Sequence, residues 1–532
     1  MLLNRVSGPS HPSLSRRGFL RGTFGGVTGL AGWQYGGLGI VAAQKREPGG
    51  QMTWAVHFSL APSWFDPAET PGIVSPFLVL YALHDSLVKP MPGQPQAGSL
   101  AESWSVSADG LVYEFVLRQG VKFHNGDPVT TEDVRFSFDR YKGSGATTMK
   151  SRMTAVEVVD HQRVRFRLKQ PWMDFMTFFG TQASGAAWVV PKKYLERVGD
   201  DGFKKAPVGA GPYRFVSFNP GIELVLEAYE QYWRKTPSVK RLIFKTVPDE
   251  ATRSAMLKRG ETDIAYSIRG ALAEGLRRTP GLTVRATGGA FTQGIIFPDQ
   301  WDPKSPWADR RVRLAANYAV DRRSLNDAEY LGLAKITASS IPSGFEFAWT
   351  PPLYSYDPQK AKQLLAEAGY RNGFNAGQIY TDIVYTSIAE AVANYLKAIG
   401  IHLTVSPMER VAFNKAVQEK KLKNLVLGAN AAIGNAATRI EAAVFSEGLY
   451  AYGGYPDIDE LFREQAAELD RKKREAILHK IQQSMHERVM FAPLFEPAFL
   501  SGYGPRVAES GLGLISAHIY SAPYEDVKLK TQ

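Results

Sequence analysis

Hydrophobic and polar residues alternate on both sides of Asp109-Gly110, a dipeptide that accepts positive φ and favours a tight turn. Before the turn, Trp104 and Val106 are spaced two residues apart. After it, apolar side chains share one face at every second position, namely Leu111, Tyr113, Phe115 and Leu117. A period of two is typical of a half-buried strand, so the pattern predicts a β-hairpin that turns at Asp109-Gly110.

A helix is predicted shortly after this hairpin. Residues 125–128 (NGDP) interrupt the regular pattern, and Thr130 or Thr131 is suited to cap a helix N-terminus. Glu132 and Asp133 follow in the first turn, where the positive end of a helix favours acidic side chains. The expected buried stripe consists of Val134, Phe138 and Tyr141.

The C-terminal part of the chain alternates helix and strand patterns. Asp357-Pro358 supplies an N-cap and a proline at the first helical position, and Gly369 marks the end of that helix. A second helix is predicted at about residues 387–399, followed by a strand at 401–405. Residues 457–490 are helical again, with inward positions at Leu461, Phe462, Leu469, Ile477, Leu478, Ile481 and Met485. Short loops between alternating helices and strands indicate an α/β fold.

The N-terminus, residues 1–43, has the pattern of a twin-arginine export signal, which predicts export by the twin-arginine pathway. Arg16-Arg17 precedes a weakly apolar run at residues 24–43 that contains seven glycines, too many for a stable membrane span. Small residues at 41–43 (VAA) suit a signal peptidase, so a mature start near Gln44 is expected. The alternative is a disordered tail that happens to contain paired arginines. Because the chain has no cysteine, attachment as a lipoprotein is excluded.

Length and charge set limits on the function. A chain of 532 residues is longer than one hydrophobic core usually supports, so two or three domains are expected. Removal of residues 1–43, which carry four arginines and no acid, leaves 59 basic and 52 acidic residues, a net charge of +7. This modest excess is spread thinly and does not indicate nucleic-acid binding. The longest basic cluster, residues 471–474 (RKKR), is expected to be an exposed helix face.

No catalytic or metal-binding motif stands out. The sequence has no G-x-S-x-G elbow, no H-E-x-x-H zinc motif, no Walker phosphate loop and no dinucleotide fingerprint. The nine histidines are scattered, and His479 and His486 lack a carboxylate that would complete a ligand set. We therefore predict neither an enzyme nor a cofactor or metal site.

Residues 99–138 (SLAESWSVSADGLVYEFVLRQGVKFHNGDPVTTEDVRFSF) resemble the signature of the extracytoplasmic solute-binding proteins of peptide and nickel ABC transporters, family 5. Other stretches resemble further landmarks of that family in the same order along the chain. They are residues 65–67 (FDP), 81–87 (YALHDSL), 207–215 (PVGAGPYRF), 307–315 (WADRRVRLA) and 318–322 (YAVDR). The resemblance therefore extends through most of the chain after the export signal.

The resemblance implies a two-lobed α/β periplasmic-binding-protein (Venus flytrap) fold with an inserted accessory domain. The implied parts are a proximal lobe of residues 51–85, 206–298 and 500–532, an accessory domain of residues 86–205, and a distal lobe of residues 299–499. It also implies a solute held in a hinged cleft between the lobes, where closure removes polar groups from water and pairs them.

Candidate ligand-binding residues follow from the places where relatives approach their ligands. In peptide-binding relatives an aspartate of the distal lobe pairs with the ligand's α-amino group, but the corresponding stretch here, residues 425–436 (LVLGANAAIGNA), contains no acid. An unpaired buried ammonium is costly, so modified peptides, opines, sugar-containing or other small solutes are alternatives to an ordinary peptide. Arg410 and Arg439 are candidates for binding a carboxylate of the solute if their side chains point inward. The candidates are Trp64, Phe65, Phe291, Gln293, Trp349, Arg410, Gly428, Ala429, Asn430 and Arg439.

The sequence thus predicts a monomeric periplasmic binding protein that delivers a peptide or similar solute to the permease of an ABC importer. The alternatives are an extracytoplasmic hydrolase on a two-lobed scaffold, and a receptor or chaperone that keeps the fold without transport.

Export is directly testable. Because residues 1–50 contain the paired arginines and the apolar run, a reporter fused to this segment is expected to leave the cytoplasm. Cell fractionation measures the result, and a reporter that stays in the cytoplasm would remove the periplasmic assignment.

Overall fold

Three larger β-sheets organise the chain in the computed structural model, which describes residues 47–532 apart from 71–73, 290, 429–433, 516–517 and 531–532. The proximal sheet has the strand order Tyr213–Asn219, Glu223–Ala228, Val239–Thr246, Gly49–Val56, Ile264–Ala265, Phe499–Tyr503 and Thr283–Thr287. The distal sheet has the order Lys335–Ile336, Phe491–Glu496, Gln293–Ile296, Leu425–Gly428, Phe374–Asp382 and Ile401–Met408. The accessory sheet has the order Ala101–Val106, Val112–Leu117, Arg163–Leu168 and Met153–Val158. The predicted export segment lies outside the described residues.

Helices and short strand pairs surround these sheets. The α-helices are Phe77–Leu83, Thr131–Arg140, Ala146–Arg152, Phe175–Phe179, Lys192–Lys205, Glu250–Lys258, Gly270–Arg277, Arg310–Ala319, Arg322–Tyr330, Pro358–Glu367, Thr386–Ala398, Arg410–Gln418, Ala436–Ala443, Pro456–Ala467 and Arg471–Glu487. The paired short strands are Asp85–Ser86 with Trp188–Val189, Val88–Met91 with Gln94–Gly98, and Val507–Glu509 with Lys528–Leu529. Among the described residues, no helix has the length and apolar composition that crossing a membrane requires.

The predicted hairpin and helix form the accessory sheet and its neighbouring helix. The strands Ala101–Val106 and Val112–Leu117 pair antiparallel, with Trp104 opposite Phe115. The following helix begins at Thr131, because the Thr130 hydroxyl accepts the backbone N–H of Asp133 and the Asp133 carboxylate accepts the backbone N–H of Thr130. This reciprocal capping satisfies two backbone donors of the first turn. The hairpin and helix predictions are therefore confirmed, although Val106 is exposed.

The distal lobe contains the predicted alternation of helices and strands. The Asp357 side chain caps the helix Pro358–Glu367 by accepting the backbone N–H of Lys360. The helix Thr386–Ala398 then leads to the strand Ile401–Met408, which pairs in parallel with Phe374–Asp382.

Two expectations for the helical region near the C-terminus were wrong. Leu469 is exposed, because residues 468–470 separate the helices Pro456–Ala467 and Arg471–Glu487. Arg474 is buried rather than part of an exposed basic face. Its Nη2 lies 2.6 Å from Oδ2 of Asp174, and its Nε donates to Gln465, so this arginine ties the distal helix to the accessory domain.

Two short crossings connect the proximal and distal sheets. One leads from Thr283–Thr287 to Gln293–Ile296, and the other from Phe491–Glu496 to Phe499–Tyr503. In the proximal sheet Thr283–Thr287 pairs antiparallel with Phe499–Tyr503. In the distal sheet Gln293–Ile296 pairs antiparallel with Phe491–Glu496. The strand Gln293–Ile296 therefore belongs to the distal sheet, although the predicted boundary at residue 298 assigned it to the proximal lobe.

A buried charge network fixes the junction between the proximal lobe and the accessory domain. Asp85 is fully buried and lies 2.7 Å from Nζ of Lys89, which is also buried. The carboxylate of Asp85 accepts further hydrogen bonds from the Ser99 and Tyr232 hydroxyls and from Nε1 of Trp233. A buried ion pair with this many additional donors is fully satisfied, and loss of one partner leaves an uncompensated charge.

We therefore expect Asp85→Ala to lower the free energy of unfolding by about 3–5 kcal/mol, because Lys89 would remain buried without its counter-ion. Chemical denaturation measures the change. The control is Asp457→Ala, which removes an exposed ion pair with Arg488 and is expected to cost less than about 1 kcal/mol. Equal losses in the two variants would contradict the structural role of the buried pair.

Candidate ligand-binding cleft

The carboxyl ends of parallel strands from both large sheets meet at one place. On the proximal side, His57 follows the strand Gly49–Val56, and Arg269 lies four residues after Ile264–Ala265. On the distal side, Asp382 ends the strand Phe374–Asp382. Nη1 of Arg269 donates to the backbone carbonyl of Val384 at 3.2 Å, which connects the two lobes directly. Open α/β sheets bind ligands at the carboxyl ends of their strands, so this is the candidate cleft.

Hydrophobic packing also joins the two lobes. One continuous buried cluster includes Trp54 and Phe77 of the proximal lobe together with Ile440 and Leu478 of the distal helices. The lobes are therefore in contact in this structure.

A chain of aromatic rings lines the proximal side of the cleft. Phe58 packs against Trp64 and Tyr520, with ring centroids 5.5 and 5.4 Å apart. Phe499 in turn contacts Tyr520 and Phe291, at 5.6 and 5.8 Å. The predicted site residues Trp64 and Phe291 are thus linked through three rings that sequence reasoning missed.

His57 lies against this aromatic group in an electropositive setting. Its ring centroid is 5.2 Å from that of Tyr520. Burial, followed by the positive charges of Arg253, Arg410 and Arg269, lowers the pKa of His57 to about 3. His57 is consequently neutral near pH 7 and does not add to the charge of the cleft.

Arg410 occupies the distal rim and is already engaged. Its Nε lies 2.7 Å from Oδ2 of Asp382, although more than half of the Arg410 side chain is exposed. Asp382 is buried, so it holds the guanidinium in place at the carboxyl edge of the distal sheet. The Arg410 side chain therefore stays accessible to a solute, although the Asp382 carboxylate neutralises part of its charge.

A small cavity of about 20 Å³ lies in the distal lobe and is lined by two of the predicted residues, Gly428 and Arg439. It is lined by Thr292, Gly294, Ile295, Ile296, Ser340, Gly428, Arg439, Phe491 and Pro493. The lining combines residues of the first crossing, three strands of the distal sheet, the loop around residue 340 and the helix Ala436–Ala443.

Arg439 is buried at this cavity, and no carboxylate of the described residues forms an ion pair with it. Its Nε donates to the backbone carbonyl of Ser340 at 3.3 Å, while Nη1 has no hydrogen-bond partner. Burial lowers the pKa of Arg439 to about 9, which still leaves the guanidinium charged near pH 7. Thr292, which lines the same cavity, also has a buried hydroxyl without a partner. A buried charge with an unmade hydrogen bond is destabilising unless a ligand supplies the partner.

The predicted residue Trp349 lines a neighbouring small cavity of about 20 Å³. The two cavities share Ser340, Phe491 and Pro493. Trp349 packs edge-to-face against His486, with ring centroids 5.9 Å apart. Trp349 and Arg439 therefore lie on adjoining cavities of the distal lobe.

A larger cavity of about 500 Å³ lies between the accessory domain and the distal lobe, and sequence reasoning missed it. Its lining residues are Pro90, Gly93, Gln94, Pro95, Gln96 and Gln182 on one side, Gly344, Phe345, Glu346, Gly434 and Arg471 on the other, and His518. Gly428 and Gly434 line different cavities, and the segment between them contains Ala429 and Asn430, which lie outside the described residues.

Two predicted residues do not belong to the cleft surface. Phe65 is fully buried in the proximal core, where its ring packs edge-to-face against Phe215 and Phe218. Gln293 is fully buried, and its Oε1 accepts the hydroxyl of Tyr330. Both side chains are enclosed in the protein interior, so the structure does not bring Phe65 and Gln293 to the cleft surface.

The described residues contain no cluster of three or more histidine, aspartate or glutamate side chains arranged to hold a metal ion. The charged groups named at the cleft are Arg269, Arg410 and Asp382, and the two arginines suit hydrogen bonding to carboxylates.

Comparison with known proteins identifies the family. Residues 96–450 match the model of the bacterial extracellular solute-binding proteins, family 5. The chain is 26% identical over 450 residues to heme-binding protein A of Haemophilus influenzae, covering 77% of this chain and 80% of that protein. It is 30% identical over 318 residues to the glutathione-binding protein GsiB of Salmonella typhi, covering 58% of this chain and 60% of that protein.

Comparison with solved structures identifies the fold. The periplasmic binding protein DppA of Helicobacter pylori, solved in complex with the peptide STSA, superposes with a TM-score of 0.73 at 24% identity. The match covers 92% of this chain and 99% of that protein. The predicted two-lobed periplasmic-binding-protein fold is confirmed. The chain belongs to the bacterial extracellular solute-binding proteins of family 5, the substrate-binding components of ABC importers.

Proposed function

We propose that this protein captures a peptide or a similar small organic solute between its lobes in the periplasm and delivers it to a membrane permease. The observation that carries the proposal is the cleft itself, where the carboxyl ends of strands from both sheets meet and Arg269 bonds to Val384 across the gap. No covalent chemistry is part of the proposal.

The connection between the lobes suits a hinge. Only short segments, residues 288–292 and 497–498, separate the paired strands of one sheet from those of the other. Rotation at these segments opens the cleft without breaking the hydrogen bonds of either sheet. A solute that contacts both lobes binds the closed form more tightly and raises its population, which the permease then recognises.

Relatives and structural neighbours with this scaffold are named for different ligands. Those reported above are named for heme, for glutathione and for a bound peptide. The scaffold therefore supports capture in general, and the side chains of the cleft must select the solute.

The distal lobe offers no acid for an α-ammonium group where peptide-binding relatives are expected to have one. Residues 425–438 contain none, and two nearby acids are engaged elsewhere. Asp174 pairs with Arg474, and Glu441 lies 2.7 Å from Arg152. Peptides without a free amino group, opines and other small acids thus remain candidates beside ordinary peptides.

A thermal-shift panel tests capture. We expect at least one class among di- to tetrapeptides, N-acylated peptides and opine-like acids to raise the melting temperature. A solute at 100 times its Kd adds about 2.7 kcal/mol to stability. Arg269→Met is expected to reduce this shift, because it removes the hydrogen bond between the lobes.

The matched control is Arg285→Met, which changes an exposed arginine on the edge strand Thr283–Thr287 and is expected to leave the shift unchanged. The same panel is assayed for product formation. Saturable turnover that a single substitution in the cleft abolishes would contradict the receptor function and favour the hydrolase alternative.

A further inference from the structure

We infer that Arg439 forms a dedicated subsite for a carboxylate group of the solute. The inference rests on the proposed function, because it assigns a chemical class to the solute that the cleft captures. It also predicts that this solute needs no free amino group for binding.

Arg439 differs from the other buried arginines of the described chain in its hydrogen-bond partners. In Arg253, Arg313 and Arg322, all three guanidinium nitrogens donate hydrogen bonds to oxygens within the protein. Arg474 pairs with the buried carboxylate of Asp174. These four arginines hold loops and helices together and leave little for a ligand to satisfy.

Arg439 lacks both kinds of partner. Among the described residues its one hydrogen bond is the contact of 3.3 Å from Nε to Ser340, and Nη1 is buried without an acceptor. The carboxylate nearest to it in the chain, Glu441, pairs with Arg152 of the accessory domain. The protein therefore places a positive charge in its interior and does not neutralise it.

The lining of the cavity sets the chemistry around Arg439. Four of its nine lining residues have apolar side chains, namely Ile295, Ile296, Phe491 and Pro493. In such surroundings a charge-assisted hydrogen bond is much stronger than in water. The Thr292 hydroxyl, which has no partner, is a second donor at the same cavity.

A carboxylate matches these groups better than a more highly charged anion. Its two oxygens fit the paired N–H groups of a guanidinium, and its single negative charge neutralises Arg439 completely. A phosphate dianion would leave one charge uncompensated in an apolar cavity. Residues 425–438 contain no acid, so this stretch beside Arg439 offers no matching group for an ammonium.

Acetate is the smallest probe of this subsite. With ionic strength held constant by chloride, acetate is expected to raise the melting temperature of the wild-type protein, whereas acetamide is not. Arg439→Met should lose the acetate response, and Arg285→Met should keep it. Equal effects of acetate and acetamide on the wild type would overturn the inference without requiring any variant to fold.

Stability without solute separates a binding role from a structural one. Arg439→Met removes a buried charge that has no counter-ion, so the melting temperature of the empty protein should stay the same or rise. Arg322→Met should lower it strongly, because four hydrogen bonds to buried oxygens disappear. A drop for Arg439→Met as large as that for Arg322→Met would identify Arg439 as a structural residue and overturn the inference.

One tripeptide prepared in four forms then defines the solute class. The forms combine a free or acetylated N-terminus with a free or amidated C-terminus, and calorimetry measures each Kd. We expect amidation to weaken binding by about 100-fold, because it removes the anionic partner of a buried arginine. Acetylation of the amine should change the Kd little. In Arg439→Met the preference for the acid should vanish.

Two amidated peptides that differ only by glutamate or glutamine distinguish a side-chain carboxylate from a terminal one. If only the glutamate form binds to the wild type and not to Arg439→Met, the subsite takes a side-chain carboxylate and the inference stands. If acid and amide forms bind equally well to wild type and variant, the subsite is wrong and the capture function stands. A third outcome is that acetate raises the melting temperature of the wild type but not of Arg439→Met, while no form of the peptide binds. In that case the carboxylate subsite stands, and the proposal that the solute is a peptide fails.

Discussion

The two crossings between the sheets are the constraint on which the cleft depends. The same two chain segments pair antiparallel in the proximal sheet and again in the distal sheet. Each crossing is too short to let the sheets separate, so their relative motion is confined to rotation about these segments. This confinement keeps the carboxyl ends of the strands opposed, which brings Arg269 to Val384. It also places the chain of aromatic rings on the proximal side of the cleft opposite the distal rim.

Buried charges in this protein fall into two groups. Asp85 with Lys89, and Asp174 with Arg474, are paired and accept or donate further hydrogen bonds at the junctions of the accessory domain. Arg439 is buried to a similar extent but has no counter-ion. Charged side chains whose hydrogen-bonding groups are all satisfied within the protein fix the architecture, whereas the unsatisfied Nη1 of Arg439 leaves hydrogen-bonding capacity open to a solute.

Local patterns in the sequence predicted local structure well. The hairpin at Asp109-Gly110 and the capped helix Thr131–Arg140 form from signals within a few residues, which is why they were predictable. Phe65 and Arg474 were misjudged because their burial depends on partners far along the chain, at Phe215 and Asp174. Arg439 was named as a candidate from its position, but its isolation depends on residues 292 and 340, which only the folded chain brings together.

The central claim is that the cleft holds a solute whose carboxylate pairs with Arg439. Native mass spectrometry of the protein purified without denaturation tests this most directly, because a co-purified solute is weighed and fragmented without prior assumptions. The account predicts a bound small molecule with a carboxyl group in the wild type and its loss in Arg439→Met. A bound solute without an acidic group, or one retained equally by both proteins, would contradict it.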